Sequence, residues 1–127
     1  GNGAYSSQEG SQNGVNMSQA GDNNSAHNMQ SGFDQHSNIE QNGAENHAGT
    51  EQWGEQNQAF ISQQGEMNNT HMMQEGFANT AHTVQSGSFN DASTYQGGAN
   101  NVAGISQMGN GNSAMVNQSG GFGGAAY

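Results

Sequence analysis

The chain has 127 residues, of which 29% are hydrophobic, and a mean hydropathy of −0.93. It is short enough for one domain and too polar for a conventional core, so by composition alone it reads as a disordered Asn/Gln/Gly-rich tract. It carries ten acids and no Lys or Arg, which leaves nothing to face nucleic-acid phosphates or anionic lipid. Without Cys there are no disulfides or Cys-ligated metals, and no apolar run approaches the ~18 residues of a membrane span. The absence of Pro suits a backbone whose N–H groups are engaged in ladders. No signal peptide is visible, and the chain reads as a mature form beginning at Gly1.

A fixed period overrides the compositional expectation. Gln recurs every eleven residues, at Gln8, Gln19, Gln30, Gln41, Gln52, Gln63, Gln74, Gln85, Gln96, Gln107 and Gln118. Two places after each stands a Gly: Gly10, Gly21, Gly32, Gly43, Gly54, Gly65, Gly76, Gly87, Gly98, Gly109 and Gly120. Asn2 opens a third series, which continues five places after each Gln with Asn13, Asn24, Asn46, Asn57, Asn68, Asn79, Asn90, Asn101 and Asn112. Gln35 interrupts that series, and Gly123 stands where its next member is expected. Seven places on the residue is small, as at Ala26, Ala48 and Ala125; nine places on it is apolar, Thr or small polar, as at Ile39, Thr50 and Tyr127. The frame predicts one uncapped domain over 1–127 with no linker.

Alternation of fixed and free positions with period two predicts a strand with one buried face. The remaining four residues, such as Glu66 to Asn69, are expected to turn the chain, helped by a conformation that Gly accepts and by local Asn hydrogen bonds. Each unit is then one strand and one turn. Two units make a rung of 22 residues, and rungs stack about 4.8 Å apart into an all-β solenoid, a cross-β arch stack of two parallel in-register sheets. At the apolar position one sheet carries Met17, Ile39, Ile61, Thr83 and Ile105, and the other Ser6, Asn28, Thr50, Met72, Thr94 and Val116. The first is expected to be the better packed.

The distribution of charge supports this frame. Every acid and all five His lie on free positions, as do the aromatics apart from Tyr127. This is the exclusion expected of a thin, dry interior. Inward Gln and Asn need partners, which ladders of amides between residues 22 apart would supply, locking the register. No two acids are separated by 22, so stacking brings no carboxylates together.

The frame Gln74-x-Gly76-x-x-Asn79-x-Ala81-x-x-x-Gln85 resembles the curlin repeat of curli fibres, and the resemblance extends over essentially the whole chain. It implies a secreted bacterial subunit that polymerises into extracellular amyloid at the cell surface, the scaffold of biofilm matrix. It also implies a role in adhesion and cell aggregation, export with chaperones through an outer-membrane pore, and a nucleating partner subunit. The spacing is more uniform than in familiar curlins, and the family's N-terminal secretion segment is missing. The lack of basic residues in the last repeat is similar to the major, fibre-forming subunit. An odd count of Gln strands leads to the expectation that successive subunits are related by a rotation of roughly 180° with a rise on the order of 26 Å.

Other chemistry is poorly served. His27 and His71 share a column two rungs apart, too far to share an ion, and no cofactor or metal is expected. No nucleophile–base pair or pocket is foreseen, so an enzyme is not expected. A soluble β-solenoid binding ice or carbohydrate is the alternative reading, but the outward columns are heterogeneous.

Overall fold

A computed structural model of the chain describes residues 1–121 and 125–126. Gly123 and Tyr127, both assigned places in the frame, lie outside the described residues, as does the side chain of Ala125. Twelve strands follow in order: β1 (Gly3–Ser11), β2 (Gly14–Asp22), β3 (Ser25–Phe33), β4 (His36–Ala44), β5 (His47–Glu55), β6 (Gln58–Glu66), β7 (Asn69–Phe77), β8 (Thr80–Ser88), β9 (Asp91–Ala99), β10 (Val102–Met108), β11 (Ser113–Gly120) and β12 (Ala125–Ala126). Odd-numbered strands form one six-stranded sheet and even-numbered strands the other. Every pairing is parallel, and from β1 to β11 partners are 22 residues apart, as in Gln8 with Gln30 and Gln63 with Gln85. This is a β-solenoid of two strands per turn.

The strands outrun the expectation. Most are nine residues long, and from β1 to β10 only two residues, such as Met67 and Asn68, separate consecutive strands. The backbone ladder survives the bend: Met67 N–H donates to the Ala44 carbonyl at 3.0 Å and Asn69 N–H to that of Asn90 at 2.8 Å. Because each corner stacks on an identical corner, its amides keep rung-to-rung partners and no loop needs to be solvated.

The core is a single layer of short side chains. Ala26, Ala48, Ala59, Ala81, Ile39, Ile61 and Met72 form its buried apolar cluster, with Met17 packed against it. The two sheets do not differ in burial as expected. Asn28, Thr50 and Met72 of the odd sheet are as fully enclosed as Ile39 and Thr83 of the even sheet. The odd sheet's polar members are partly paired: Thr50 Oγ1 donates to Asn28 Oδ1 and lies 2.8 Å from Ser37 Oγ across the core, while Asn28 Nδ2 is buried without a partner. A short hydroxyl–amide chain therefore replaces the missing aliphatic volume.

Two further expectations are corrected at the C-terminal end. The last strand is out of phase: Ala126, not Ala125, pairs with Ala103. The sequence between Gly120 and Ala126 holds no Asn or Gln that would distinguish one register from the next. The strand count is also even, because β12 adds a strand that carries no Gln, so each sheet holds six. The odd count behind the half-turn rotation does not hold.

Candidate functional site

Nine consecutive Gln–Gln hydrogen bonds join rungs, Nε2 of each Gln donating to Oε1 of the Gln 22 residues later, from Gln8–Gln30 at 2.9 Å through Gln52–Gln74 at 2.7 Å to Gln96–Gln118 at 3.0 Å. The columns are dry in the middle of the stack, where Gln52, Gln74, Gln85 and Gln96 are fully buried. From Gln19 to Gln107, Nε2 also donates a proton across the core. Gln63 donates it to the His47 carbonyl at 2.9 Å and Gln74 to that of Gln58 at 2.8 Å, in each case the first residue of the facing strand. The Gln side chain thus ties rung to rung and sheet to sheet. Sequence periodicity reveals the first bond and not the second, because the second depends on how the sheets face each other.

The Asn series works differently. Nδ2 of Asn68 donates to the Gly87 carbonyl at 2.9 Å and to the Gln64 carbonyl at 3.3 Å, clipping its own corner to the next. It also donates to Asn46 Oδ1 at 3.1 Å, toward the N-terminus and opposite in sense to the Gln column. Oδ1 of Asn46 accepts in addition the Asn68 backbone N–H at 3.1 Å. The same pattern holds in full at Asn90; Asn24 Nδ2 keeps the two carbonyl bonds, to Ala20 and Gly43, while Asn112 Nδ2 keeps those to Asn90 Oδ1 and the Met108 carbonyl, and Asn2 Oδ1 accepts the backbone N–H of Asn24.

Gln35 is the flaw in the other corner column. Its Nε2 reaches the Ser31 and Gly54 carbonyls, both at 2.8 Å, as an Asn would. The extra methylene moves its Oε1 off the column, where it is buried with no partner. Gln35→Asn should therefore restore an acceptor for the corner above and remove an orphaned carbonyl. The expected gain is about 1–2 kcal/mol, read as a rise in denaturation midpoint with an unchanged m-value.

The Gly column follows from the clip. Gly65 sits at φ +113° and a Cβ there would lie 2.0 Å from the Gly87 carbonyl oxygen, the atom that accepts the Asn68 amide. Two residues after each such Gly the chain adopts a left-handed conformation with φ between 54° and 60°, at Gln12, Asn23, Asp34, Glu45, Gln56, Met67, Ala78, Phe89 and Asn100. The sequence hides these positions. Asn and Asp are favoured there, but Met67, Ala78 and Phe89 are not, and stacking imposes the conformation regardless.

Outside the columns the surface holds the charge. Most acids are exposed, with Asp34 and Glu51 half-buried. Stacking alternates carboxylate with ring or thioether: Phe33, Glu55 and Phe77 share one column and Met29, Glu51 and Met73 another. His27, Gly49 and His71 share a third, and His71 Nε2 lies 3.4 Å from Glu51 Oε1. Among the described residues no group of three His, Asp or Glu is placed to hold a metal ion. Phe33, Phe77 and Phe89 are exposed, and Tyr5 stacks on His27 at 5.2 Å. The largest convergent constellation in the molecule is its pair of amide columns, which offers hydrogen-bonding edges and no reactive group.

Residues 89–120 match the family model of the Curlin associated repeat. No curated protein sequence matches the chain. The matched segment spans β9, β10 and β11, from the Asn90 clip to Gly120, and its Gln and Gly columns continue without change of register down to Gln8 and Gly10.

Proposed function

We propose that the chain, whose residues 89–120 match the Curlin associated repeat and whose Gln and Gly columns carry the same frame down to Gln8 and Gly10, is a curlin-type structural subunit that assembles end to end into amyloid fibres. The observation that carries this reading is the sameness of the rung-to-rung contact. Backbone ladder, Gln amide and Asn clip repeat at each step of 22 residues, so the contact that joins rungs within one copy is chemically suited to join copies. Edge strands that invite pairing produce open filaments when the contact is heterologous. Stacking β1 of one copy on β11 of another, and β2 on β12, needs translation alone. Six strands per sheet at about 4.8 Å give a repeat of about 29 Å per copy.

The Gln columns, the Asn columns and the Gly column are, in this reading, the functional residues. An extracellular fibre at the bacterial surface, with adhesion through the exposed rings, is the setting that the family supplies. A nucleating subunit and export chaperones are the partners it supplies, and no membrane insertion or nucleic-acid contact is part of the proposal. Purified chain should convert to fibres with a concentration-dependent lag that preformed fragments abolish. Cross-β diffraction near 4.8 Å is expected along the fibre axis. A chain that remains a folded soluble monomer at high concentration would sink the assembly reading in favour of a surface-binding solenoid.

A further inference from the structure

An Asn followed by Gly is prone to deamidate in water, because the Gly backbone nitrogen can reach the Asn side-chain carbonyl carbon with no Cβ beside it to obstruct the approach. The chain holds four such steps: Asn2–Gly3, Asn13–Gly14, Asn42–Gly43 and Asn110–Gly111. Three of them are held alike. Gln35 donates its backbone N–H to Asn13 Oδ1 at 3.1 Å and accepts the Gly14 N–H at 2.8 Å. Ser88 does the same for Asn110 Oδ1 and the Gly111 N–H, both at 2.9 Å. Asn24 does so for Asn2 Oδ1 at 3.0 Å and the Gly3 N–H at 2.8 Å. In each case the backbone of one residue on the neighbouring rung clasps both reacting groups, the amide carbonyl that would be attacked and the nitrogen that would attack it. Asn13 is held further through Nδ2, which donates to the Glu9 and Gly32 carbonyls at 2.9 and 3.2 Å.

Asn42–Gly43 is built differently. It lies inside β4, Asn42 is exposed, and among the described residues its side-chain amide has no hydrogen-bond partner. The residues stacked on Asn42 are Ala20 and Gln64, and Gly43 pairs with Gly21 and Gly65. The backbone ladder alone restrains this step, and the carbonyl under attack is free.

We propose that Asn42 is the modification site of the folded stack: it deamidates there spontaneously, while the three clasped steps stay sealed until the chain unfolds. The Gly43 nitrogen gives up its proton to solvent and bonds to Cγ of Asn42. The bond from Cγ to Nδ2 breaks and ammonia leaves, closing a cyclic imide. Solvent water then opens the imide at one of its two carbonyls. One opening leaves an aspartate side chain at position 42; the other leaves isoaspartate, in which the backbone runs through the former side chain.

Both products act on β4. The aspartate carboxylate would stand on the same face as Glu40, about 7 Å along the strand, with no Lys or Arg in the chain to offset it. Isoaspartate adds an atom to the backbone between two residues fixed in columns. Gln41 donates to the Ser25 carbonyl and to Gln63 Oε1, and the Gly43 carbonyl accepts Asn24 Nδ2 at 2.9 Å. A lengthened strand satisfies one column and slips from the other. Modification at Asn42 therefore loosens the even sheet at one rung and spares the corners.

The inference concerns the single folded chain and needs no second copy, so it stands or falls apart from assembly. The folded chain, and the same chain in denaturant, are held at mildly alkaline pH and sampled over time. Cleavage after Glu releases Asn42 within the segment from Gln41 to Glu45, and tandem mass spectrometry locates each amide lost. In denaturant the four steps should convert at similar rates, since each Asn precedes Gly. In the folded chain Asn42 should convert first, with Asn13 and Asn110 at least about tenfold slower, because two hydrogen bonds must open before their reacting groups meet. Asn42→Gln, whose longer side chain closes the imide ring far less readily, should keep its denaturation midpoint and lose the early conversion. Corner steps that convert in the folded chain at their denatured rate would overturn the clasp. Conversion of Asn42 no faster than the corners, or early conversion that persists in Asn42→Gln, would overturn the site.

Discussion

Gly65→Ala is expected to abolish the folded stack. The added Cβ would lie 2.0 Å from the Gly87 carbonyl oxygen and 2.9 Å from its carbon, at a φ of +113° that L side chains rarely adopt. Neither atom can retreat, because the Gly87 carbonyl is fixed by the Asn68 amide at 2.9 Å. Relief would require opening the rung spacing that every other ladder bond in the two sheets shares. A loss above about 4 kcal/mol follows, among the largest values seen for a single substitution. Gly49→Ala is the informative contrast. Gly49 is buried too, yet its Cβ would meet only the edge of the His71 ring at 3.5 Å, an ordinary contact. That change should cost less than about 1 kcal/mol or stabilise slightly, because Ala fits an extended strand better than Gly. Circular dichroism and denaturation midpoints on the two variants read the difference directly. Equal effects at the two positions would mean that conformational entropy, not the corner contact, selects the Gly column.

Much of this architecture is legible in the residues because stacking makes one physical demand many times. A buried column tolerates only what every rung can supply, so Gln, Gly and Asn stand out at a fixed spacing while charge is confined to free positions. Register, parallel pairing and the rung of 22 residues all follow from that, and Gln8 to Gln118 lie where the period places them. What the period does not reveal depends on how the sheets face each other or on the backbone. The bond from Gln63 to the His47 carbonyl crosses between sheets, and no repeat within one strand encodes it. The left-handed residues at Met67 and Phe89 carry side chains that argue against that conformation. Thr50 and Asn28 look like weak points of a core until their mutual hydrogen bond is seen. The phase error at β12 arises where the sequence turns to Gly and Ala and ceases to specify anything. Legibility fails there for the reason it succeeds elsewhere, since only a residue with a required partner announces its place.

Gln63→Glu should be the most damaging change that leaves shape unaltered. Gln63 is 1% exposed and its Nε2 donates to Gln85 Oε1, the His47 carbonyl and Thr70 Oγ1. A carboxylate there would retain the Gln41 donor but turn an oxygen toward two acceptors, with no Lys or Arg anywhere in the chain to compensate it. An unpaired buried charge of this kind is expected to cost about 3–5 kcal/mol near neutral pH. Gln63→Met, which removes the same donors without adding charge, should cost about 2–3 kcal/mol. The two variants part further in their pH dependence. Burial without a cation makes the introduced carboxyl harder to ionise in the folded state, so its folded pKa lies above the unfolded value of about 4.3. Below the unfolded pKa both states are protonated and the charge penalty vanishes; as pH rises toward the folded pKa the unfolded state sheds its proton first and the stack loses stability. The difference in stability between Gln63→Glu and Gln63→Met should therefore be largest at neutral pH and shrink on acidification, measured as paired denaturation midpoints across that range. A difference that does not change with pH would mean that the carboxylate has reached solvent, and that the Gln column is a wet seam between sheets and not the dry spine on which the stack depends.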